Sequence, residues 1–190
     1  MTKKNNPFNS GYYNSSELRK FGFKKVGKNV QIAKNCTIIG LTNISFGNNI
    51  RIDSNVVITA SKGYLKLGNY IHIGAGCFLN CGGGISFSDF SGLSQGVHIY
   101  SESADYSGDT LASPTISKKY RKIKSGPVFL KKHSVVGSNS VILPNVTIGE
   151  GTAVGALSFV HLSLADWSVY FGSPAQKVNH RTNKLLALEK

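Results

Sequence analysis

Between Val128 and Val160, aliphatic residues recur every six positions: Leu130, Val136, Ile142, Ile148, Val154 and Val160. Two places before each stands a residue small enough to turn inward beside it, namely Val128, Ser134, Ser140, Val146, Thr152 and Ser158. A period of six fits neither an α-helix nor a flat alternating strand. It fits a solenoid whose coil has three short sides, each pointing one aliphatic residue into a triangular bore. The same phase runs upstream through the triplets Val26/Ile32/Ile38, Phe46/Ile52/Ile58, Leu67/Ile73/Leu79 and Phe87/Leu93/Ile99. These triplets begin at 26, 46, 67 and 87, so a coil takes about 18 core residues plus two or three at one corner. A β-sandwich has no reason to hold a six-residue phase. The pattern therefore predicts an all-β parallel β-helix of six coils.

Turn chemistry agrees. Gly27-Lys28-Asn29, Gly47-Asn48-Asn49 and Gly68-Asn69 fall at predicted corners, and Gly82-Gly83-Gly84 joins the third coil to the fourth. No Gly-Lys-Ser/Thr follows these glycines, so none reads as a phosphate loop. Residues 1–25 read as a tail and capping helix. Asn14 supplies an N-cap with Glu17 three places on, Leu18 and Phe21 form the apolar face, and Gly22 ends the helix. Such a helix would plug the open first coil. The β-helix spans 26–161, interrupted at 100–127, where the six-residue phase stops and then resumes unbroken at Val128. An excursion that long is costly to order unless it packs or works. Residues 162–190 form a C-terminal extension: Trp167, Val169, Tyr170 and Phe171 cover the last coil, and a short helix is predicted over 183–190.

The register also fixes the outer surface. On the third side, Thr37, Val57, Phe78, His98, Val141 and Phe159 precede the inward residues and point out, as do Ile39, Thr59, Asn80, Tyr100, Leu143 and His161, which follow them. An outer face this apolar marks an interface. Within it lie His98, Asn80 and Tyr100, polar groups that are costly there unless paired or used. His72 and His133 fall on the second side and near a corner and read as structural.

Charge narrows the ligands. The formal net charge is +13, which attracts polyanions. Lys and Arg are spread along the chain and no nucleic-acid motif appears, which favours small phosphorylated ligands over nucleic acid; an anionic lipid surface is a further option. No apolar run reaches the length of a membrane span, and the basic N-terminus lacks the apolar stretch of a signal peptide. Cys36, Cys77 and Cys81 are odd in number and two take inward positions, which points to a reducing, cytoplasmic setting. No Cys/His spacing suits a metal, so no metal site is expected.

The run ILPNVTIGEGTAVGALSFV followed by YFGSPAQKV resembles the ending of the hexapeptide-repeat acyltransferases. The resemblance covers about residues 14–181 and is closest to members that acylate sugars for bacterial surface polysaccharide. It implies a left-handed β-helix, a homotrimer packed along the third side, and acetyl-coenzyme A as acyl donor. The pantetheine arm would lie beside Gly155-Ala156. The nucleotide end would meet Ser173 and Pro174, with Lys177 and Arg181 supplying charge where Gln176 replaces the family's Lys or Arg. Asn80 matches a family Asn that contacts the acceptor. In sugar-acetylating relatives a catalytic His stands about five residues after the position of Ile99, and here Ser103, Ala104 and Asp105 occupy that stretch. A hydroxyl acceptor needs a base, whereas a neutral amine attacks with less help. The expected reaction is therefore acetyl transfer to an amino group of a nucleotide-linked deoxysugar, with O-acetylation of a glycan as the alternative. His98 and Asp105 are the candidate catalytic residues, and Asn80, Tyr100 and Tyr106 the candidate acceptor contacts. Asp105 also suits a simple turn cap at Tyr106-Ser107-Gly108. A γ-type carbonic anhydrase shares the solenoid, but its family has two zinc histidines five residues apart, a pair missing here. A non-catalytic trimeric scaffold is the remaining reading, disfavoured by the excursion and the coenzyme-A ending.

Overall fold

The computed structural model describes residues 6–189. The chain winds into a triangular prism, a left-handed β-helix with one parallel sheet on each side. The first side stacks six strands from Lys25–Val26 to Thr147–Ile148, and the third stacks six from Thr37–Ile39 to Phe159–Val160. The second side has nine strands, seven parallel ones from Val30–Ala33 to Ser168–Phe171 and an antiparallel strand closing each edge: Tyr12–Tyr13 beside Val30–Ala33, and Gln176–His180 beside Ser168–Phe171. Covered edges stop the solenoid from templating further strands.

The inward rows are those the six-residue period predicts. Phe46 pairs with Val26 and Leu67, and Leu67 with Phe87. On the third side Leu79 pairs with Ile58 and Ile99, and Ile99 with Ile142. The excursion is bypassed without a register slip, since Ile85 pairs with Val128 and Leu93 with Val136. Ile52, Ile58, Ile73, Leu79 and Ile99 have no exposed surface; each contributes about 1.5–3 kcal/mol by leaving water. Hydroxyls that turn inward are satisfied by nearby carbonyls: Ser134 donates to Lys131 at 2.7 Å, Ser140 and Ser158 to Gly155 at 3.0 and 2.8 Å, and Thr152 to Ala165 at 2.6 Å.

Two flanking expectations need correction. The helix is only Ser15–Leu18, with both halves of the Asn14/Glu17 capping box formed, and the chain leaves it at Arg19 rather than Gly22. Leu18 alone enters the core, while Phe21 is exposed and meets the Tyr13 ring edge-on. At the other end Lys184–Leu188 is a 3₁₀ helix rather than an α-helix; so short a segment gains little from helical bonds alone. The predicted helix's last residue, Lys190, lies outside the described residues. The tail is fixed by side chains instead. Arg181 donates from Nη1 to the carbonyls of His133 and Gly151, both at 3.0 Å, and the Glu189 carboxylate bonds Lys132 and His133. The Lys132 ammonium and then His133 hold the Glu189 carboxyl below the ordinary carboxylate range. A carboxyl depressed by folding stabilises above its unfolded pKa, near pH 4, and loses that contribution as pH falls through the lower folded value. Glu189→Gln is therefore expected to lower the urea midpoint at pH 7, by an amount that shrinks as the pH falls below the ordinary carboxylate range.

The prism corners carry residues in the left-handed backbone region. Between the first and second sides these are Asn29, Asn49, Tyr70, Phe90, His133, Gly151 and Trp167, with φ from 48° to 61°. Asn and Gly suit that conformation, whereas bulky residues strain it. The aromatic ones are compensated by stacking on one another. Tyr70 and Phe90 lie 4.7 Å apart and 3° from parallel; Phe90 and His133 lie 5.1 Å apart.

The excursion is ordered. Glu102–Ala104 and Ile123–Ser125 form an antiparallel ribbon, and Lys118–Tyr120 a 3₁₀ turn. The ribbon packs back over Gly82-Gly83, where a Cβ at Gly82 would overlap the Glu102 carboxylate and one at Gly83 the Ser101 carbonyl.

Candidate active site

On the third side, Phe78 pairs with Val57 and His98, and His98 with Val141, which in turn pairs with Phe159. This row is half-buried in the single subunit. The matching rows elsewhere are more polar: Lys25, Ser45, Lys66 and Ser86 on the first side, and Gln31, Arg51 and His72 on the second. Asn80 and Tyr100 are cross-strand neighbours. The Tyr100 hydroxyl lies 3.5 Å from His98 Nδ1, at the outer limit of a hydrogen bond. The Phe78 ring packs against both, at 5.9 Å from His98 and 5.5 Å from Tyr100. The structure thus brings His98, Asn80 and Tyr100 together. Burial pushes the thiol of Cys81, next to Asn80, up to about 12 and that of Cys77 up to about 11, so neither supplies a thiolate near neutral pH.

Asp105 directly follows the first ribbon strand, with 4% of its surface exposed. It accepts from the Ser107 hydroxyl at 2.9 Å and backbone N–H at 3.3 Å, and its other partner is the Lys124 ammonium at 3.0 Å. The turn that Asp105 caps thus immobilises a charged carboxylate. Lys124 first, then the Ser107 donors, hold it below the ordinary carboxylate range. Among the described residues no hydrogen bond links Asp105 to His98. Tyr106 stands beside it, 81% exposed. Next to this turn an open groove of about 420 Å³ runs past Lys124, Leu143 and Phe159 to His161.

Of the residues assigned to coenzyme A, Gly155, Ala156, Ser173, Pro174 and Lys177 lie together at the end of the last coils, whereas Arg181 lies at the corner between the first and second sides. Ala156 is exposed at the corner between the second and third sides. Gly155 owes its small size to the chain itself, since a Cβ there would collide with the Phe171 ring. Ser173, Pro174 and Lys177 are exposed beside it. Arg181 is engaged by the two backbone carbonyls that pin the tail, so Lys177 is the exposed cation of this group.

One concentration of chemistry was not singled out in the sequence. On the second side Asp53 accepts from the Tyr12 hydroxyl at 3.0 Å and Arg51 Nε at 2.7 Å, and bonds His72 Nε2 at 2.8 Å. Burial pushes its carboxyl up, but His72, Arg51 and Tyr12 outweigh that and hold it below the ordinary range. Beside this network lies a cavity of about 860 Å³, bounded by Arg19, Lys28, Asn49, Arg51, Tyr70 and His72. A smaller one of about 280 Å³ continues from Tyr70 and His72 past Ser94 and Gln95. The signal available in the sequence was Tyr70 and Phe90 at corner positions held by Asn in earlier coils.

A triangular parallel β-helix carrying an ordered excursion over its one apolar side is the architecture of hexapeptide-repeat acyltransferases. No family model matches the chain. It is 39% identical over 178 residues, 94% of this chain and 93% of the relative, to dTDP-4-amino-4,6-dideoxy-D-glucose acyltransferase of Escherichia coli. It matches AntD, an N-acyltransferase from Bacillus cereus solved with dTDP and 3-hydroxybutyryl-CoA, at a TM-score of 0.90 and 44% identity, over 96% of this chain and 95% of that one. An AntD variant solved with dTDP-4-amino-4,6-dideoxyglucose and coenzyme A matches at 0.91 and 44%, over 96% of both chains. The chain belongs to the hexapeptide-repeat acyltransferase family, as an acyl-coenzyme-A-dependent sugar acyltransferase.

Proposed function

We propose that the protein moves an acetyl group from acetyl-coenzyme A to the amino group of a dTDP-linked 4-amino-4,6-dideoxy sugar. The observation that carries this reading is Asp105, a fixed, ionised carboxylate at the excursion base, in the stretch where hydroxyl-acetylating relatives carry their histidine. A carboxylate orients an amine by accepting its hydrogen bond. The neutral amine nitrogen attacks the thioester carbonyl carbon, the C–S bond breaks, and the proton released from nitrogen balances the departing thiolate. Lys124, with 64% of its side chain exposed, is the partner that can swing aside for the amine. The E. coli relative and AntD carry names or ligands of this acceptor class, which supports the assignment.

The same reading places the protein in a homotrimer packed along the third side, so that His98, Asn80 and Tyr100 of one subunit face a neighbour. Coenzyme A then runs along the corner at Gly155 and Ala156 to Ser173, Pro174 and Lys177. The unpaired cysteines and both substrates suit the cytoplasm. Ala156→Tyr is expected to abolish measurable coenzyme-A binding in calorimetry while circular dichroism stays unchanged, because residue 156 faces out of the bore.

Release of free thiol tests the whole reading. Acetyl-coenzyme A is offered with dTDP-4-amino-4,6-dideoxyglucose, with its 4-hydroxy counterpart, and with free glycans. Turnover with the amine alone is the expected result. Faster turnover with a hydroxyl acceptor would make the protein an O-acetyltransferase and sink the proposal.

A further inference from the structure

We propose that the second-side cavity holds the base and diphosphate of the acceptor, with the base stacked on the outer face of Tyr70. This rests on a nucleotide-linked acceptor, as proposed above, and assigns its binding subsite.

The corner column is aromatic in the third, fourth and fifth coils and short in the first two. Tyr70, Phe90 and His133 stack at intervals of 4.7 and 5.1 Å. One coil further down, the same place is taken by Asn49 and then Asn29, whose side chains bond each other at 3.0 Å. The stack therefore ends at Tyr70, which is 54% exposed, and the 860 Å³ cavity opens where the next ring would stand. A planar base entering it continues a column whose first members the protein already orders. Base–aromatic stacking is strong and indifferent to which base is used. The amides of Asn29 and Asn49 border the same space and offer donors and acceptors to a base edge.

Charge around the cavity suits a diphosphate. Arg51 gives Nε to Asp53 and Nη2 to the Tyr12 hydroxyl, which leaves Nη1 with no recorded partner among the described residues. Lys28, on the rim, has no carboxylate within ion-pair distance among them. The Asp53 network fixes Arg51 and His72 in place. From His72 the surface continues through the smaller cavity to Ser94 and Gln95. It thus leads up the second side toward the corner assigned to coenzyme A. A sugar joined to the diphosphate would extend along that path, so the Asp105 that orients its amine belongs to the adjacent subunit of the proposed trimer.

Calorimetric titration of the full chain with dTDP and, separately, with coenzyme A tests this. The wild type is expected to bind both. Tyr70→Ala is expected to weaken dTDP about tenfold to a hundredfold, the range that losing one stacked base implies, and Tyr70→Phe to restore it. Asn49→Phe is expected to extend the aromatic column into the cavity and remove dTDP binding. Its backbone φ of 56° is one that Tyr70 and Phe90 already adopt with aromatic side chains. Coenzyme A should bind all variants alike, which reports that they fold. Unchanged dTDP affinity in Tyr70→Ala or in Asn49→Phe overturns the subsite and leaves the acceptor class standing. A wild type that binds coenzyme A but no dTDP overturns both.

Discussion

Phe78→Asp is expected to convert the proposed trimer into monomers and to remove turnover. Phe78 is half-buried in the isolated subunit and packs among Val57, His98 and Tyr100 in the apolar row of the third side. Packing three subunits along that row would take it out of water completely. A carboxylate there has no cation beside it, and an uncompensated buried charge costs about 3–5 kcal/mol at each site. Threefold symmetry repeats the cost at each of three contacts. The bore is untouched, because residue 78 points outward while Leu79 fills the core. Light scattering is expected to give three times the chain mass for the wild type and one for the variant, with matching circular dichroism. A monomeric wild type would end the trimer assignment and the placing of His98 and Asn80 opposite a neighbour.

The second large effect separates the two acceptor chemistries. Asp105→Asn keeps the turn but removes a charge-assisted hydrogen bond, a change of about 1.5–3 kcal/mol, or roughly 10- to 150-fold in kcat/KM for the amine acceptor. Asp105 is held below the ordinary carboxylate range. It is therefore ionised throughout the neutral region, and its own titration should leave no inflection in the rate profile above about pH 4. Any rise in rate between pH 6 and 9 then belongs to the substrate amine, and it should survive in Asp105→Asn at lower height. His98→Ala is expected to cost little with an amine. With a hydroxyl acceptor the ranking reverses, and His98→Ala should cost about 10²–10⁴-fold, the share of a general base. Superimposable profiles of equal height for wild type, Asp105→Asn and His98→Ala would show that neither side chain serves the reaction.

Much of the architecture was readable from spacing because a β-helix is nearly one-dimensional. Each residue's facing follows from its phase within a coil, and each neighbour lies one coil away. Asn80 therefore had to stand beside Tyr100, and Phe78 beside His98, whatever the details of packing. The Asn14/Glu17 cap and the Asp105 turn were readable for a similar reason, since both are hydrogen bonds between residues three or fewer positions apart.

What the period could not give is whatever happens at corners, at ends and between distant segments. Arg181 was a candidate phosphate ligand until the fold brought it against the carbonyls of His133 and Gly151. Gly155 had a ligand's reason to be small, and the fold supplies a second in Phe171, returned beside it by the last strand. Arg51 and His72 are register partners one coil apart, but Tyr12 joins them and Asp53 from about forty residues away only because an antiparallel strand closes the sheet edge. The six-residue phase determined which side chains enter the bore and which point out, since a repeating backbone leaves a side chain only two directions. Only the tertiary structure decided which outward groups share a cavity, because the corner that ends the Tyr70 stack is set by the size of residues one coil away, and a repeat of polarity carries no information about size.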